Sequence, residues 1–145
     1  MPKPIPTVEW LHLCDYAFRD EHAKLCLIGL FDTLHSVELP GRLPMLSVAF
    51  GLTDGQGNYD LALQVESPSG KTVDLPLPKL NLSDRHTKHR AVVRMAGMPF
   101  EEFGTYRFLL KVDGQPIEWP AHHMEHIQVQ MPPQAAPPAP DPQDN

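Results

Sequence analysis

The stretch FEEFGTYRFLLKVDG, residues 100–114, decides how the chain is read. Tyr106, Phe108, Leu110 and Val112 alternate with Arg107 and Lys111. That period of two puts apolar side chains on one face of a β-strand and charges on the other. Asp113 and Gly114 then form a turn dipeptide that opens a hairpin toward Ile117 and Trp119. Gly104 stands two residues ahead of an inward tyrosine at the start of this strand, a pattern that resembles the tyrosine corner of immunoglobulin-like domains. In such a corner the phenol hydroxyl bonds a backbone group upstream, so Gly104 and Tyr106 are the expected structural positions of the segment.

The same period recurs on either side. Val8, Trp10, His12, Cys14 and Tyr16 alternate with Glu9, Leu11, Leu13 and Asp15. The run LCLIGLF, residues 25–31, is apolar on both faces and predicts a central strand covered on both sides. Leu46, Val48, Phe50 and Leu52, followed beyond TDGQGN by Tyr59, Leu61, Leu63 and Val65, read as the two arms of a hairpin. Residues 72–77, limited by Pro76 and Pro78, suit an edge strand. Around HRAVVRM, Lys88, Arg90 and Arg94 share a face with Val92, while His89, Ala91, Val93 and Met95 share the other. With no long stretch of helical period, seven or eight short strands predict an all-β fold, an immunoglobulin-like antiparallel β-sandwich.

A chain of 145 residues is the size of one domain that buries its core without disulfides or metals. Residues 1–130 form the expected single domain. Residues 131–145 hold six of the 17 prolines and predict a disordered, proline-rich tail, read either as a solubilising terminus or as a docking peptide. The net charge of −6 weighs against nucleic-acid and anionic-membrane partners. The first residues lack an apolar core of the signal-peptide kind, and no apolar run is long enough to span a bilayer, which predicts a cytoplasmic protein. Cys14 and Cys26 are then two free thiols, although a turn near residues 19–21 leaves open that they face each other across a hairpin.

Catalytic signatures are sparse. The sequence has no G-x-S-x-G elbow, no phosphate loop and no H-E-x-x-H pair. His12 and Cys14 share a strand face as a thiol and a base would, and Asp15 and Asp32 follow the two best strands as an acid-base pair would. The bland readings are a packed cysteine and turn-capping carboxylates. The run AHHMEHIQVQ, residues 121–130, concentrates three histidines. On a helix His122 and His126 would chelate a metal, but the alternation of Ile127 and Val129 with glutamines favours a strand, where residues four apart lie roughly 13 Å apart. No metal and no other cofactor is therefore expected. The metal alternative requires His122 or His126 to be joined by His86 or His89 from another strand, a set suited to zinc or nickel.

Three segments carry a further likeness: residues 13–34 with the Cys14–Asp15 pair and the Ile28-Gly29-Leu30-Phe31-Asp32 strand, residues 43–73, and residues 103–114 with the Gly104-x-Tyr106 strand. Together they resemble a family of small bacterial proteins known only as a domain of unknown function, over roughly residues 8 to 130. The resemblance implies no reaction, ligand or catalytic residue. The leading expectation is a non-enzymatic protein-interaction module whose contact lies on the loops at residues 34–44 and 79–87 or on an exposed edge strand, with self-association left open. A metal- or small-ligand-binding protein using the His122 to His126 region is the alternative, and a thiol or carboxylate hydrolase the third.

Overall fold

The computed structural model describes residues 3–130, so the expected proline-rich tail lies outside the described residues. Thirteen strands, and no helix, form among them: β1 (Thr7–Arg19), β2 (Leu25–Leu30), β3 (Thr33–Ser36), β4 (Gly41–Arg42), β5 (Met45–Thr53), β6 (Gly57–Tyr59), β7 (Leu61–Glu66), β8 (Thr72–Pro76), β9 (Leu80–Leu82), β10 (His89–Ala96), β11 (Pro99–Phe100), β12 (Gly104–Val112) and β13 (Gln115–Gln128). The protein is all-β, and no described helix is long and apolar enough to cross a membrane.

Nine strands make two main sheets, ordered β10-β5-β1-β2 and β3-β13-β12-β7-β8, and the four short ones pair as β4 with β11 and β6 with β9. The seven or eight strands expected are fewer because these two-to-three-residue ladders leave no periodic trace in sequence. One apolar cluster draws on both sheets. Leu13, Phe50 and Leu52 enter it from the four-stranded sheet, and Leu63, Phe108 and Leu110 from the five-stranded sheet. On β12, Tyr106, Phe108, Leu110 and Val112 are buried while Arg107 and Lys111 are half-buried on the opposite face. The β12–β13 hairpin pairs in antiparallel register from Val112↔Gln115. β8 is an edge strand of its sheet.

Two sequence expectations are overturned. The arms β5 and β7 are not a hairpin: β5 pairs with β1 and β10, whereas β7 pairs with β12 and β8. Both are apolar on the face that meets the core, and alternation cannot say whether two such strands lie side by side or face one another from opposite sheets. The run in β2 is not central. It is the edge of the four-stranded sheet, with Ile28 53% and Leu30 60% exposed.

Gly29 gives the reason. Its φ is +75°, a conformation that breaks an extended strand, and a Cβ there would sit 2.4 Å from the Asp15 carboxylate. The β1–β2 ladder runs through Cys14↔Leu30 and Tyr16↔Ile28 but skips Asp15 opposite Gly29. Beyond that point the ribbon curls back over its own sheet. The Arg19 guanidinium donates to the Arg90 carbonyl on β10 at 2.6 Å, and Arg94 on β10 donates to the Ala17 carbonyl at 2.7 Å. The register also separates the cysteines. Cys14 faces Leu30 and Cys26 faces Phe18, four rungs apart and about 13 Å along the ladder, well beyond disulfide reach, and both thiols are free.

Tyr106 is buried, and its hydroxyl accepts the Glu102 N–H at 3.0 Å. Gly104, at φ +127°, packs so closely on Pro68 that a Cβ would lie 2.9 Å from the ring. Ser47 is a contrasting case, because its buried Oγ has no hydrogen-bond partner among the described residues. Tyr106→Phe is expected to cost about 1 kcal/mol in denaturant titration, the net worth of one hydrogen bond, and Ser47→Ala to gain a similar amount by removing an unsatisfied hydroxyl. Equal and negligible effects would contradict both assignments.

Candidate functional site

β13 carries the histidine run as a strand, and alternation sorts the ring positions. Met124 and His126 are buried and His122 is half-buried, while His123 and Glu125 are exposed. His126 is deeply buried, only 2% exposed. Its Nδ1 lies 2.7 Å from the Glu102 carbonyl and its Nε2 2.8 Å from the Ser36 hydroxyl. A carbonyl only accepts, so Nδ1 carries the proton, and the serine hydroxyl is placed to donate to Nε2. Phe103, Phe100 and Tyr106 surround the ring at centroid distances of 4.7, 6.2 and 6.3 Å. Gly41 completes the enclosure, since a Cβ there would meet both Ser36 Oγ and His126 Nε2 within 2.5 Å. His126 is a polar pin that ties β13 to the segment before β4 and to the loop before β12.

The other histidine candidates are dispersed. His122 reaches the Phe31 carbonyl through Nε2 at 3.1 Å and stands edge-on to His12 at 6.4 Å. Burial pushes its imidazole below the ordinary histidine range, opposed by the bond to Phe31 and reinforced by His12. His89 opens β10 in the other sheet and is likewise lowered, by burial first and then by the Arg19 charge. His86 is exposed on the preceding loop, where its N–H bonds the Asp84 carboxylate. Among the described residues no three His, Cys, Asp or Glu side chains gather as a metal site would require.

The thiol and carboxylate candidates are also apart. Cys14 is fully buried, and burial, with the Asp15 charge adding to it, pushes its thiol up, the opposite of what a nucleophilic cysteine needs. His12 is spent on another contact, stacked on Trp10 at 5.8 Å with planes 20° apart. Asp15 lies over Gly29, while Asp32 accepts the Thr33 hydroxyl at 3.2 Å, so the two carboxylates serve their own strands.

What the fold does gather is on the β1–β2 ribbon and was not foreseen from sequence. Beyond Gly29 its two faces differ. Tyr16, Phe18 and Ile28 share the outer one, 62%, 41% and 53% exposed, through the pairings Tyr16↔Ile28 and Phe18↔Cys26. Arg19, Leu25 and Leu27 share the inner one and meet Trp10, His12 and Arg90 across a cleft of about 470 Å³. The signal for the bend was available as the glycine within an otherwise apolar strand, a recurrent marker of bulges and close approach.

The sequence profile of a family of unknown function (DUF6941) matches residues 9–119. The chain belongs to that family. The match spans the β1–β2 ribbon, the cleft and the Gly104–Tyr106 strand, and stops ahead of the histidine run. No curated protein matches the chain.

The histidines give a pH expectation. A base whose folded pKa is depressed contributes stability that is present above its unfolded value and lost as pH falls through the folded one. Stability should therefore decline from about pH 7.5 to about pH 5.5, a window below which the carboxylates begin to titrate. The double variant His89→Gln, His122→Gln should flatten that decline in denaturant midpoints. A slope unchanged by the two substitutions would contradict the assignment.

Proposed function

We propose that this protein is a non-enzymatic interaction module, an immunoglobulin-like sandwich of the cytoplasm, that docks a protein partner on the outer face of the β1–β2 ribbon. One observation carries the reading: β2 is an edge strand of six residues, LCLIGL, with no charge and no proline, and its exposed Ile28 and Leu30 lie beside the exposed Tyr16 and Phe18 of β1. Free sheet edges template pairing with other chains unless charge, proline or brevity blunts them. The remaining edges of the two main sheets are blunted in those ways. β10 carries Arg90 and Arg94, β3 has four residues, and β8 holds Asp74 and Pro76. That edge, extended from Leu25 to Ile28 up to the bend at Gly29 and lying beside an apolar face, suits strand addition by a short extended segment whose side chains settle among Tyr16, Phe18 and Ile28.

The sandwich reading is supported by two sheets over one core and by the Tyr106 hydroxyl bonded four residues upstream. The cytoplasmic reading is supported by two free thiols held four rungs apart. Among the described residues the histidine alternative has no converging ligand set, and the Cys14 thiol of the hydrolase alternative is pushed up by burial rather than activated. Of the loops expected to carry the contact, residues 34–44 do expose Val37 and Leu39, but the sheet edge beside them, β3, is only four residues long.

Capture from a native lysate tests the proposal. The full chain and a chain ending at Gln130 should retain the same protein, while Ile28→Lys and Tyr16→Lys lose it with melting temperatures close to the parent, since exposed positions shift stability by only about 0.5 kcal/mol. Retention by both lysine variants would place the contact elsewhere, and loss on truncation alone would transfer it to the tail.

A further inference from the structure

The inner face of the same ribbon points to a second capacity that does not rest on the docking role. We propose that the cleft between the ribbon tip and the outward face of the four-stranded sheet binds a small anion with a flat aromatic body, such as an aromatic carboxylate or a nucleoside monophosphate.

The charge is the first support. Among the described residues, Arg19, Lys24 and Arg90 line the cleft with His12, and no carboxylate does. In a chain of net charge −6, the ion pairs among the described residues engage Lys3, Lys79, Lys88, Arg107 and Lys111, and none of the three cleft cations. The nearest acid in sequence, Asp20, has its carboxylate occupied by the N–H groups of His22 and Lys24, which close the turn. Arg19 is held in place by carbonyls, donating to Arg90 at 2.6 Å and to Ala23 at 3.4 Å. A guanidinium fixed by neutral acceptors keeps its full charge for a ligand, and its fork suits carboxylate or phosphate oxygens.

The aromatic wall is the second. Trp10 lies flat over β5 because residue 51 is glycine: a Cβ there would come within 2.5 Å of the indole nitrogen. The other residues on that face of β5, Ser47 and Ala49, are also small and fully covered. The stacked His12 extends the indole surface, and Leu25 and Leu27 stand across from it half-buried. A volume of about 470 Å³ is that of a one- or two-ring molecule with an anionic group, within the range of roughly 300–1,000 Å³ usual for ligand sites. Aromatic stacking and charge-assisted bonds would act together there, so neither half of the ligand alone should bind well.

Isothermal titration of the full chain with 1-naphthoate, adenosine monophosphate, adenosine and inorganic phosphate tests the site, with the Trp10 indole N–H followed by NMR in Trp119→Phe. One aromatic anion, or both, should bind at one equivalent and shift the Trp10 resonance. Neutral adenosine and bare phosphate should be weaker by about tenfold or more. The stronger of naphthoate and the nucleotide identifies the anionic group. Lys24→Glu, at an exposed turn position, should weaken binding by at least about tenfold while melting at the parent temperature. No heat and no indole shift with any probe at millimolar concentration would overturn the proposal. Binding of phosphate as tight as that of the nucleotide, or binding unchanged by Lys24→Glu, would overturn it as well.

Discussion

Two guanidinium groups close the four-stranded sheet upon itself. Arg19 reaches from the ribbon tip to the Arg90 carbonyl, and Arg94 reaches from β10 to the Ala17 carbonyl, so that the end of β1 and the edge strand β10, which do not pair with each other in the ladder, are tied by reciprocal charge-assisted bonds. Those bonds exist because the floor between them is thin. Ser47, Ala49 and Gly51 present almost nothing on the outward face of β5, and the ribbon bends at Gly29 to come down toward it. From this closure follow the cleft, the exposed outer face and the free β2 edge. A straight ribbon would leave Trp10 and His12 open to solvent and would have no inner face.

The five-stranded sheet is anchored differently. His126 is buried among aromatic rings with both nitrogens bonded, one to a carbonyl and one to the hydroxyl of Ser36, ninety residues earlier. Tyr106 accepts the Glu102 N–H while His126 takes the Glu102 carbonyl, so a single residue of the loop before β12 is gripped on both its backbone groups. Leaving such buried partners unmatched costs about 1–3 kcal/mol each, which makes this end of the fold rigid. The cleft and the exposed apolar face lie instead on the curled sheet.

Much of the fold was legible because it depends on local period. The alternation in β12, the faces of β10 and the edge character of β8 could each be read from neighbouring residues. The β5–β7 relation could not, since one amphipathic strand looks the same whether it pairs beside another or packs opposite it. The fate of LCLIGLF turned on Gly29, whose positive φ depends on Asp15 filling the space where a side chain would be. His126 was illegible for a related reason: its partners come from residues 36 and 102, and hydropathy treats a histidine as polar wherever it falls. The cleft was hidden because Arg19 and Arg90 are seventy-one residues apart and meet only once the ribbon has curled.

Everything functional argued for this protein depends on the ribbon having one face outward and the other turned in. Methyl NMR with a soluble paramagnetic agent measures that directly. The account predicts strong relaxation enhancement at the Ile28 methyl, intermediate enhancement at Leu25 and Leu27, and almost none at Leu13, following their exposed, half-buried and fully buried positions. Equal enhancement at Ile28 and Leu27 would mean a ribbon standing free of the sheet, and would contradict both the closure and the cleft built on it.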